Sequence, residues 1–504
     1  MRAFLLHRER DFELESGMPP NEKAIVQDLG LDLLFATMAA GDEYLLGVAR
    51  RVVLSSLRDP EEIVYRQRVL QDCVDHPDVA RRIYATAVQA IAAERHVWHS
   101  FYDSPELLLH RSLEVLGILM GSLRALRRVA DDHATAFRSE GFRAFFGMVE
   151  HELDDAFLAS VDEQLRQLRF PHGALISARL GKGSKGTRYV LRKPNVTKRG
   201  WWQDLRLRLP FQRPSPFTLS IHPRDEAGFR ALATLRERGF NEVASALTRS
   251  AEHLLSFFAM VRFEVGFYLA SLNLRDALIA KGEPVCFPEP GPPGSDALGC
   301  RGLYEVCLAL RVEQRVVGND VGGDGKSLVM VTGANQGGKS TFLRSLGLAQ
   351  LMMQAGMFVG AEAFRADVRD GLFTHFKREE DVTMSSGKLE EELVRASELA
   401  GLVRPASLVL FNESFAATNE REGAEIAQAI VRALVELGVK VVFVTHSYEL
   451  AGSFYEYRRP DALFLRAERL PDGERTFRQI EGEPLPTSFG EDLYREVFGA
   501  GSAS

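Results

Sequence analysis

The 504-residue sequence predicts two kinds of structure in succession. A mainly α-helical core and lever portion comes first, and an α/β domain with a mostly parallel sheet flanked by helices follows. The helical prediction depends on apolar residues that recur at helical spacing from about residue 25 to about residue 280, except near 171–220. The α/β prediction depends on short apolar segments at 327–332, 407–411 and 439–445 that alternate with helical patterns.

The composition is typical of an ordinary globular protein, with 45% hydrophobic residues, 26% charged residues and a net charge of −7. This charge argues against a generally basic nucleic-acid coat protein, so any basic surface would be local. The four cysteines lie far apart without a C-x-x-C pair, which favours a reducing, cytoplasmic compartment over a disulfide framework or a zinc site. We expect neither a signal peptide nor a membrane span, because no apolar run approaches about 18 residues.

The patterns divide the chain into six predicted segments. They are an N-terminal arm at 1–24, a helical core domain at 25–170, a basic, Trp-containing insert with short strands at 171–220, long lever-like helices at 221–283, a Pro/Gly linker at 284–298 and the α/β domain at 299–504. The arm is polar and ends at Pro19-Pro20, so we expect it to be loose. The linker prediction depends on Pro284–Gly294, which is rich in the residues that interrupt helices and strands.

The clearest helix start is the segment 59–62, Asp-Pro-Glu-Glu. Asp is a good N-cap, Pro suits the first turn, and acids favour the positive end of a helix. Later helices are predicted at roughly 77–98, 105–137 and 140–169, with apolar stripes that are typical of core packing. Residues 242–280 are predicted to form one helix of about 58 Å at 1.5 Å per residue, a length that suits a lever.

Between Lys182 and Arg213 there are ten Lys or Arg residues and a single acid, Asp204, with Trp201-Trp202 inside the run. Basic residues with interleaved aromatics can contact phosphates and stack on bases, which would make this segment a DNA contact. A solvated loop whose tryptophans pack on neighbouring helices is the open alternative. The candidate DNA-binding residues are Lys182, Lys185, Arg188, Arg192, Lys193, Lys198 and Arg199.

The segment 333–341 matches the full phosphate-binding pattern G-x-x-x-x-G-K-[ST], between a predicted strand and a predicted helix. Its backbone N–H groups and the helix N-terminus are suited to phosphate oxygens. Lys339 would reach the terminal phosphates, and the Ser340 hydroxyl would hold Mg²⁺. The predicted nucleotide-binding residues are Gly333, Ala334, Asn335, Gln336, Gly337, Gly338, Lys339, Ser340 and Thr341.

A second apolar strand ends in Asn412-Glu413. Glu413 could act as general base on water, because phosphoryl transfer needs positioning and charge more than covalent chemistry. Asn412 can accept a hydrogen bond from a metal-bound water but brings no negative charge. The predicted metal-binding residues are therefore Ser340, Asn412 and Glu413. A surface acid at a strand end is the alternative interpretation of Glu413.

A third apolar strand ends in His446, at the edge where parallel sheets bind ligands, so His446 could sense the terminal phosphate. A structural histidine is the alternative. Between the second and first strands, Ser385-Ser386-Gly387 precedes a predicted helix with acids in its first turns. Ser385 or Ser386 could simply cap that helix, or the helix end could offer an anion site to a nucleotide bound by a partner subunit.

These motifs resemble the ATPase domain of the MutS family of DNA mismatch-repair proteins. The matching segments are 319–321, 331–344, 358–361, 386–387, 408–413, 418–423, 445–446, 449–450 and 487–490, with weaker similarity at 31–34 and 59–67. The resemblance implies an ATPase that uses ATP and Mg²⁺, with Lys339, Glu413 and His446 as catalytic residues. It also implies a cytoplasmic homodimer in which the Ser386 turn of one subunit closes the nucleotide site of the other. Closure would act through lever helices on DNA.

The sequence also departs from the family pattern. Asn412 replaces the metal-site Asp, which predicts slow hydrolysis, Glu362 replaces a Gln, and Val316 stands where an aromatic residue usually stacks on adenine. The chain begins at the helical core and ends without a nuclease module, and Phe12-Glu13-Leu14 is not a Phe-x-Glu wedge. We therefore expect a short MutS-like ATPase that does not itself read mismatches. A nucleotide-gated clamp with little turnover is the alternative. A transporter-like or SMC-like ATPase is disfavoured, because no Leu-Ser-Gly-Gly signature precedes Leu408.

Overall fold

A computed structural model of the chain describes residues 1–14, 17–97, 104–170, 174–182, 186–192, 225–378 and 387–486. Within these ranges the helices are α1 (Glu22–Leu29), α2 (Leu31–Ala39), α3 (Glu43–Leu54), α4 (Pro60–Asp75), α5 (Pro77–His96), α6 (Pro105–His133), α7 (Glu140–Glu152), α8 (Asp155–Leu168), α9 (Glu226–Ala280), α10 (Val306–Arg311), α11 (Lys339–Gln354), α12 (Lys388–Leu402), α13 (Glu420–Glu436) and α14 (Tyr448–Glu456). The strands are β1 (Leu175–Leu180), β2 (Gly186–Arg192), β3 (Glu289–Gly291), β4 (Leu298–Leu303), β5 (Asn319–Gly322), β6 (Leu328–Thr332), β7 (Ala363–Asp367), β8 (Leu372–Phe376), β9 (Leu408–Asn412), β10 (Lys440–Val444), β11 (Ala462–Arg469) and β12 (Arg475–Glu481).

The chain forms two compact units. The helical unit comprises residues 1–3, 82–134 and 144–262, and the sheet unit comprises residues 4–81, 135–143 and 263–504. This division differs from the predicted boundaries, because residues 25–81 belong with the α/β sheet. Sequence periodicity identifies helices correctly but carries no information about which helices pack together.

Capping residues determine where the helices begin and end. Asp59 caps α4 as predicted, since its carboxylate accepts the N–H of Glu61 at 2.9 Å. The single helix predicted at 140–169 is divided, because the carboxylate of Asp154 accepts the N–H of Phe157 at 2.6 Å and starts α8. The long helix expected from residue 242 begins sixteen positions earlier, at Glu226.

In the helical unit, α6 and α8 pack with the first part of α9 around a small apolar cluster. Leu109 and Phe240 are buried in it, and Phe170 stacks on Phe240 at 5.2 Å between ring centroids. The β1–β2 hairpin is the short-stranded structure predicted for the basic insert. The hairpin lies against α9, where the side chain of Ile176 packs on Gly239. Any larger residue at 239 would place its Cβ only 2.7 Å from Ile176.

Helix α9 is the one described segment whose length and composition would allow it to cross a membrane. Within 237–280, the most apolar 18-residue window has a mean hydropathy of 1.4, and 67% of that window is buried. A buried core helix has this composition for packing reasons. The helix is therefore only weak evidence for a membrane span.

The sheet unit contains a six-stranded sheet in the order β12-β11-β6-β10-β9-β8 among the described residues. All neighbouring pairs are parallel except β11–β12, so the predicted mostly parallel sheet is confirmed. Helices cover both faces. On one face, Val409 and Phe411 belong to the apolar cluster packed with α12, α13 and α14. Leu410 points to the opposite face, where it packs so closely on Gly347 of α11 that a Cβ at 347 would lie 2.8 Å from it.

The Pro/Gly linker prediction at 284–298 is wrong for part of that segment. Residues 289–291 form β3, which pairs with β7 in a four-stranded sheet ordered β3-β7-β4-β5. Cys286 is also bridged to Val359, with N···O distances of 3.1 and 2.8 Å. Prolines are tolerated here because β3 is an edge strand, where a missing N–H breaks no central ladder.

The prediction of a loose N-terminal arm is wrong for residues 4–12. Leu5 and Leu6 are fully buried. The carboxylate of Glu264, itself fully buried, accepts the N–H groups of Leu5 at 2.7 Å, Leu6 at 3.3 Å and Phe12 at 3.0 Å. The Arg66 guanidinium donates to the Leu6 carbonyl at 3.1 Å. Buried side chains about 60 and 260 residues away thus replace the hydrogen bonds that the segment would otherwise make with water.

Glu264 is expected to make the stability of the sheet unit depend on pH. Burial raises the pKa of its carboxyl from 4.5 to about 7, against the opposing effect of the backbone N–H groups of Leu5, Phe12 and Leu6. Between these values the folded state binds the proton more tightly than the unfolded state, so this contribution to stability falls as pH rises. Glu264→Gln should remove a dependence of about 3 kcal/mol across that window, measured by urea unfolding of both proteins. Parallel pH profiles would contradict the assignment.

Candidate nucleotide-binding site

The glycine-rich loop at 333–338 follows the fully buried strand β6 and leads into α11, as the sequence predicts. Gly333 has φ +112° and Gly338, the N-cap of α11, has φ +83°. A Cβ at Gly333 would lie 2.8 Å from the backbone N of Ala467, and one at Gly338 would lie 3.1 Å from the carbonyl O of Phe477. Both positions therefore require glycine for conformation and for space.

Lys339 lies back over this loop. Its Nζ donates to the carbonyls of Gly333 and Ala334, each at 3.0 Å, and the residue is only 5% exposed. Burial lowers the pKa of its ammonium, an effect that the nearby Glu413 carboxylate opposes. An ammonium this buried, whose hydrogen-bond partners among the described residues are two neutral carbonyls, is well prepared for an anion. A phosphate group would supply the charge that the site lacks.

Ser340 and Asn412 meet at the carboxyl edge of the sheet. The Ser340 Oγ donates to the Asn412 Oδ1 at 2.8 Å. Both are hard oxygen atoms of the kind Mg²⁺ accepts, but neither carries charge. Among the described residues, no group of three or more His, Cys, Asp or Glu side chains could hold a metal ion. Ser340 and Asn412 could therefore supply only a minor part of the Mg²⁺ coordination shell, which phosphate oxygens and water would complete.

Glu413 directly follows β9 and has an unusual backbone. Its φ is +53°, and its N–H donates to the carbonyl of Val444 at 2.9 Å, which ties it to β10. Its Oε1 lies 3.7 Å from Nδ1 of His446, an ion-pair distance beyond hydrogen-bond range. Interaction with His446 lowers the pKa of Glu413, and Lys339 contributes in the same direction while burial opposes it. The carboxylate is therefore ionised at neutral pH, as a group that orients water must be.

A buried histidine beneath Glu413 was not identified from the sequence. The His375 Nδ1 lies 2.7 Å from the Oγ of Ser414, and its Nε2 lies 3.0 Å from the carbonyl of Glu392 in α12. Burial lowers the pKa of His375 to about 4, so the ring is neutral at neutral pH. The ring contacts the side-chain hydroxyl of Ser414, the residue that follows Glu413. No sequence signal marks it, because β8 carries no motif.

A cavity of about 780 Å³ is lined by residues 335–341 and Glu413, whereas Asn412 and His446 are not among its lining residues. One side consists of the loop and helix start, with Lys339, Ser340 and Glu413 among its lining residues. The other side is lined by the apolar residues Leu308, Val312, Val316, Val317 and Phe477 and by the polar residues Glu313, Gln314, Arg315 and Asn319. A ligand with a charged end and a flat ring that carries polar groups matches this division. Val316, which stands where the resembling family has an aromatic residue against adenine, lines that side of the cavity.

The β11–β12 hairpin also covers the loop, which sequence analysis did not anticipate. Gln479 Nε2 donates to the Gly337 carbonyl at 3.0 Å, and Arg475 Nη1 donates to Gln336 Oε1 at 2.8 Å. Phe477, 49% exposed with φ +61°, presents an aromatic ring to the cavity. An exposed aromatic residue in a strained backbone conformation is suited to stacking on a planar base.

Several predicted site residues are not brought into this cavity. Ser386 lies outside the described residues, as do Lys185, Lys193, Lys198, Arg199 and Trp201-Trp202. The predicted cap at Ser385 or Ser386 is wrong, because Gly387 is the N-cap of α12. Lys182, Arg188 and Arg192 are exposed on or beside the β1–β2 hairpin and belong to the helical unit.

Comparisons with known proteins cover both portions of the chain. Residues 58–281 match the MutS2 N-terminal domain family, and residues 329–495 match MutS domain V. The DNA mismatch repair protein MutS of Streptococcus mutans is 27% identical over 264 residues, which is 49% of this chain and 31% of the relative. MutS and HexA proteins of Streptococcus pneumoniae, both named DNA mismatch repair proteins, are 27% identical over 265 residues with the same coverage.

The alignment thus spans about a third of the length of these relatives. Domain V, the ATPase domain of the family, covers the loop at 333–338, Glu413 and His446. The MutS2 N-terminal domain covers α4 to α9. The two matched domains are both MutS-family domains, and they cover the helical and the α/β portions in succession. The chain therefore belongs to the MutS family.

Proposed function

We propose that the protein binds and hydrolyses ATP with Mg²⁺, and that it couples this reaction to DNA binding. The convergence of three adjacent strands supports the ATP site. The ends of β6, β10 and β9 carry the glycine loop, His446 and Glu413, and Val444 of β10 is in register with both Val331 and Asn412. Parallel sheets bind ligands at this edge.

Each residue has a separate role in the proposed reaction. Lys339 and the N–H groups of 333–341 hold the phosphates, and Ser340 and Asn412 orient the hydrated Mg²⁺. Mg²⁺ would neutralise charge that develops on the phosphates. Glu413 orients and deprotonates the attacking water, while His446 contacts the terminal phosphate and holds the carboxylate. Phe477 and the apolar side of the cavity take the base.

The proposed assembly is a cytoplasmic homodimer in which the Ser386 turn of one subunit completes the nucleotide site of the other. ATP-driven closure would reach DNA through α9. The support for this part is the family membership together with the exposed basic residues of the β1–β2 hairpin, Lys182, Arg188 and Arg192.

A second candidate is a nucleotide-gated clamp or scaffold that binds ATP but hardly hydrolyses it. Asn412 favours it, because the amide next to Ser340 supplies no negative charge to a metal shell. The two candidates predict the same ATP binding and differ in turnover.

DNA binding is tested by titrating duplex, branched and single-stranded DNA at several salt concentrations. A variant with Lys182, Lys185, Arg192 and Lys193 changed to Gln should bind all duplexes more weakly. If all four contact phosphates, the slope of log K against log salt should fall in magnitude by about 3 to 4. The matched control neutralises four exposed arginines elsewhere, Arg166, Arg230, Arg404 and Arg421. Absent or salt-independent binding by the unaltered protein would remove DNA from the proposal.

A further inference from the structure

The wall on the proposed base side of the nucleotide cavity is a segment without regular secondary structure. Residues 312–317 lie between α10 and β5, and all six line the cavity. Such a segment can form a defined surface for a base only if something fixes its backbone. The contacts that fix it come from residues just beyond the end of α9.

Lys281 is the first of these residues. Its Nζ donates to the carbonyl of Leu310 at 2.9 Å and to the carbonyl of Val312 at 2.6 Å. These two carbonyls lie at the end of α10 and the start of the wall. One ammonium therefore satisfies carbonyls that a helix end leaves without partners, and it does so with charge-assisted hydrogen bonds.

Glu283 is the second. It is 4% exposed, and its Oε1 accepts the backbone N–H of Val316 at 2.7 Å. Its Oε2 lies 3.8 Å from the Nε of Arg315, another lining residue of the cavity. Among the described residues Oε2 has no hydrogen-bond donor, so the bond from Val316 is the hydrogen bond that holds this buried carboxylate to the wall.

The end of α9 determines where both side chains point. The Gly282 N–H donates to the Ile279 carbonyl at 2.9 Å, and the Glu283 N–H donates to the Leu278 carbonyl at 3.1 Å. Gly282 has φ +74°. This pair of bonds around a left-handed glycine is a Schellman cap, which holds Lys281 and Glu283 in a fixed orientation to the last turn of the helix.

We propose that Lys281 and Glu283 are positioning residues that attach the base-side wall of the nucleotide cavity to the C-terminal end of α9. A nucleobase in the cavity then orders the wall and, through these residues, the last turn of the helix. The polyphosphate part of the ligand has no such effect. This inference rests on the proposed ATP binding, because it concerns the same cavity.

The first test measures ATP and inorganic tripolyphosphate binding to the full chain by calorimetry. Lys281→Met retains the aliphatic stem but loses both hydrogen bonds, so ATP should bind about tenfold more weakly. Glu283→Ala should act in the same direction, and Glu283→Gln should recover most of the affinity because its amide oxygen still accepts from Val316. Tripolyphosphate affinity should stay unchanged in all three.

The matched control is Lys326→Met. Lys326 also donates its Nζ to a backbone carbonyl, that of Pro460 at 2.7 Å, but it precedes β6 at the end of the strand away from the glycine loop. Its ATP affinity should equal that of the unaltered protein. A weaker affinity in this control as well would show that loss of any such lysine disturbs the site, which would overturn the assignment.

The second test is hydrogen exchange at the backbone amides of residues 274–283. ATP should slow exchange there more than tripolyphosphate does, and Lys281→Met should abolish that difference. Equal losses of ATP and tripolyphosphate affinity, unchanged ATP affinity, or ATP protection that persists in Lys281→Met would each overturn the inference. Failure of the unaltered protein to bind ATP would instead overturn the proposed function, so the two failures are distinguishable.

Discussion

Glu413→Ala is expected to reduce ATP hydrolysis by about 10²–10⁴-fold, the usual contribution of a positioned general base. ATP binding should persist, because the phosphate contacts come from Lys339 and the glycine loop on the neighbouring part of the sheet. The geometry supports a direct role. The carboxylate is ionised, lies in the cavity and is held by the left-handed backbone of Glu413 and by the contact with His446 at 3.7 Å.

Phosphate release with ATP and Mg²⁺ measures this effect, and calorimetry measures ATP affinity. Glu413→Gln tests the charge alone, since it keeps the size of the side chain. Glu425→Ala is the matched control, because Glu425 is 66% exposed and, among the described residues, pairs only with Arg421 in the preceding turn of α13. Unchanged turnover in Glu413→Ala would show that another group activates the water.

Asn412→Asp is expected to increase turnover by about tenfold or more and to lower the Mg²⁺ concentration that half-saturates the reaction. A carboxylate adds one negative charge to the metal shell, where carboxylates are the preferred protein ligands of Mg²⁺. The substitution should not disturb the local structure, because an aspartate oxygen can accept the Ser340 Oγ hydrogen bond now made at 2.8 Å.

Steady-state hydrolysis over a Mg²⁺ titration provides the measurement. Asn419→Asp is a suitable control, since Asn419 also accepts a hydrogen bond through its side chain but does so at the start of α13. If the unaltered protein hardly hydrolyses ATP and Asn412→Asp greatly increases the rate, the unaltered protein fits the clamp candidate. No change in rate or Mg²⁺ requirement would place Asn412 outside the metal shell.

The local features of the α/β portion were predictable from the sequence. The strands β6, β9 and β10 begin and end within one residue of the predicted limits, and Asp59 caps α4 as its sequence indicates. Such features depend on residues that are close in the chain, namely apolar runs, glycines and caps. The order of the glycine loop, Asn412-Glu413 and His446 after successive apolar strands likewise predicted that they meet at one edge.

The predictions for the N-terminal arm and the linker were wrong because long-range packing determines the structure of both segments. Leu5 and Leu6 are buried because Glu264 and Arg66, distant in the chain, satisfy their backbone groups. Residues 289–291 form a strand because β7 offers an edge to pair with. Polar composition and prolines correctly describe the local preference of these segments, but a tertiary partner overrides local preference.

The sequence by itself determined that a glycine-rich loop with the phosphate-binding pattern is followed by a carboxamide, a carboxylate and a histidine at strand ends. Only the tertiary structure decided what surrounds them. The β11–β12 hairpin supplies Phe477, and the end of α9 supplies Lys281 and Glu283. These residues belong to no motif, because a motif records neighbours along the chain. Their roles follow from contacts between segments that only the folded chain brings together.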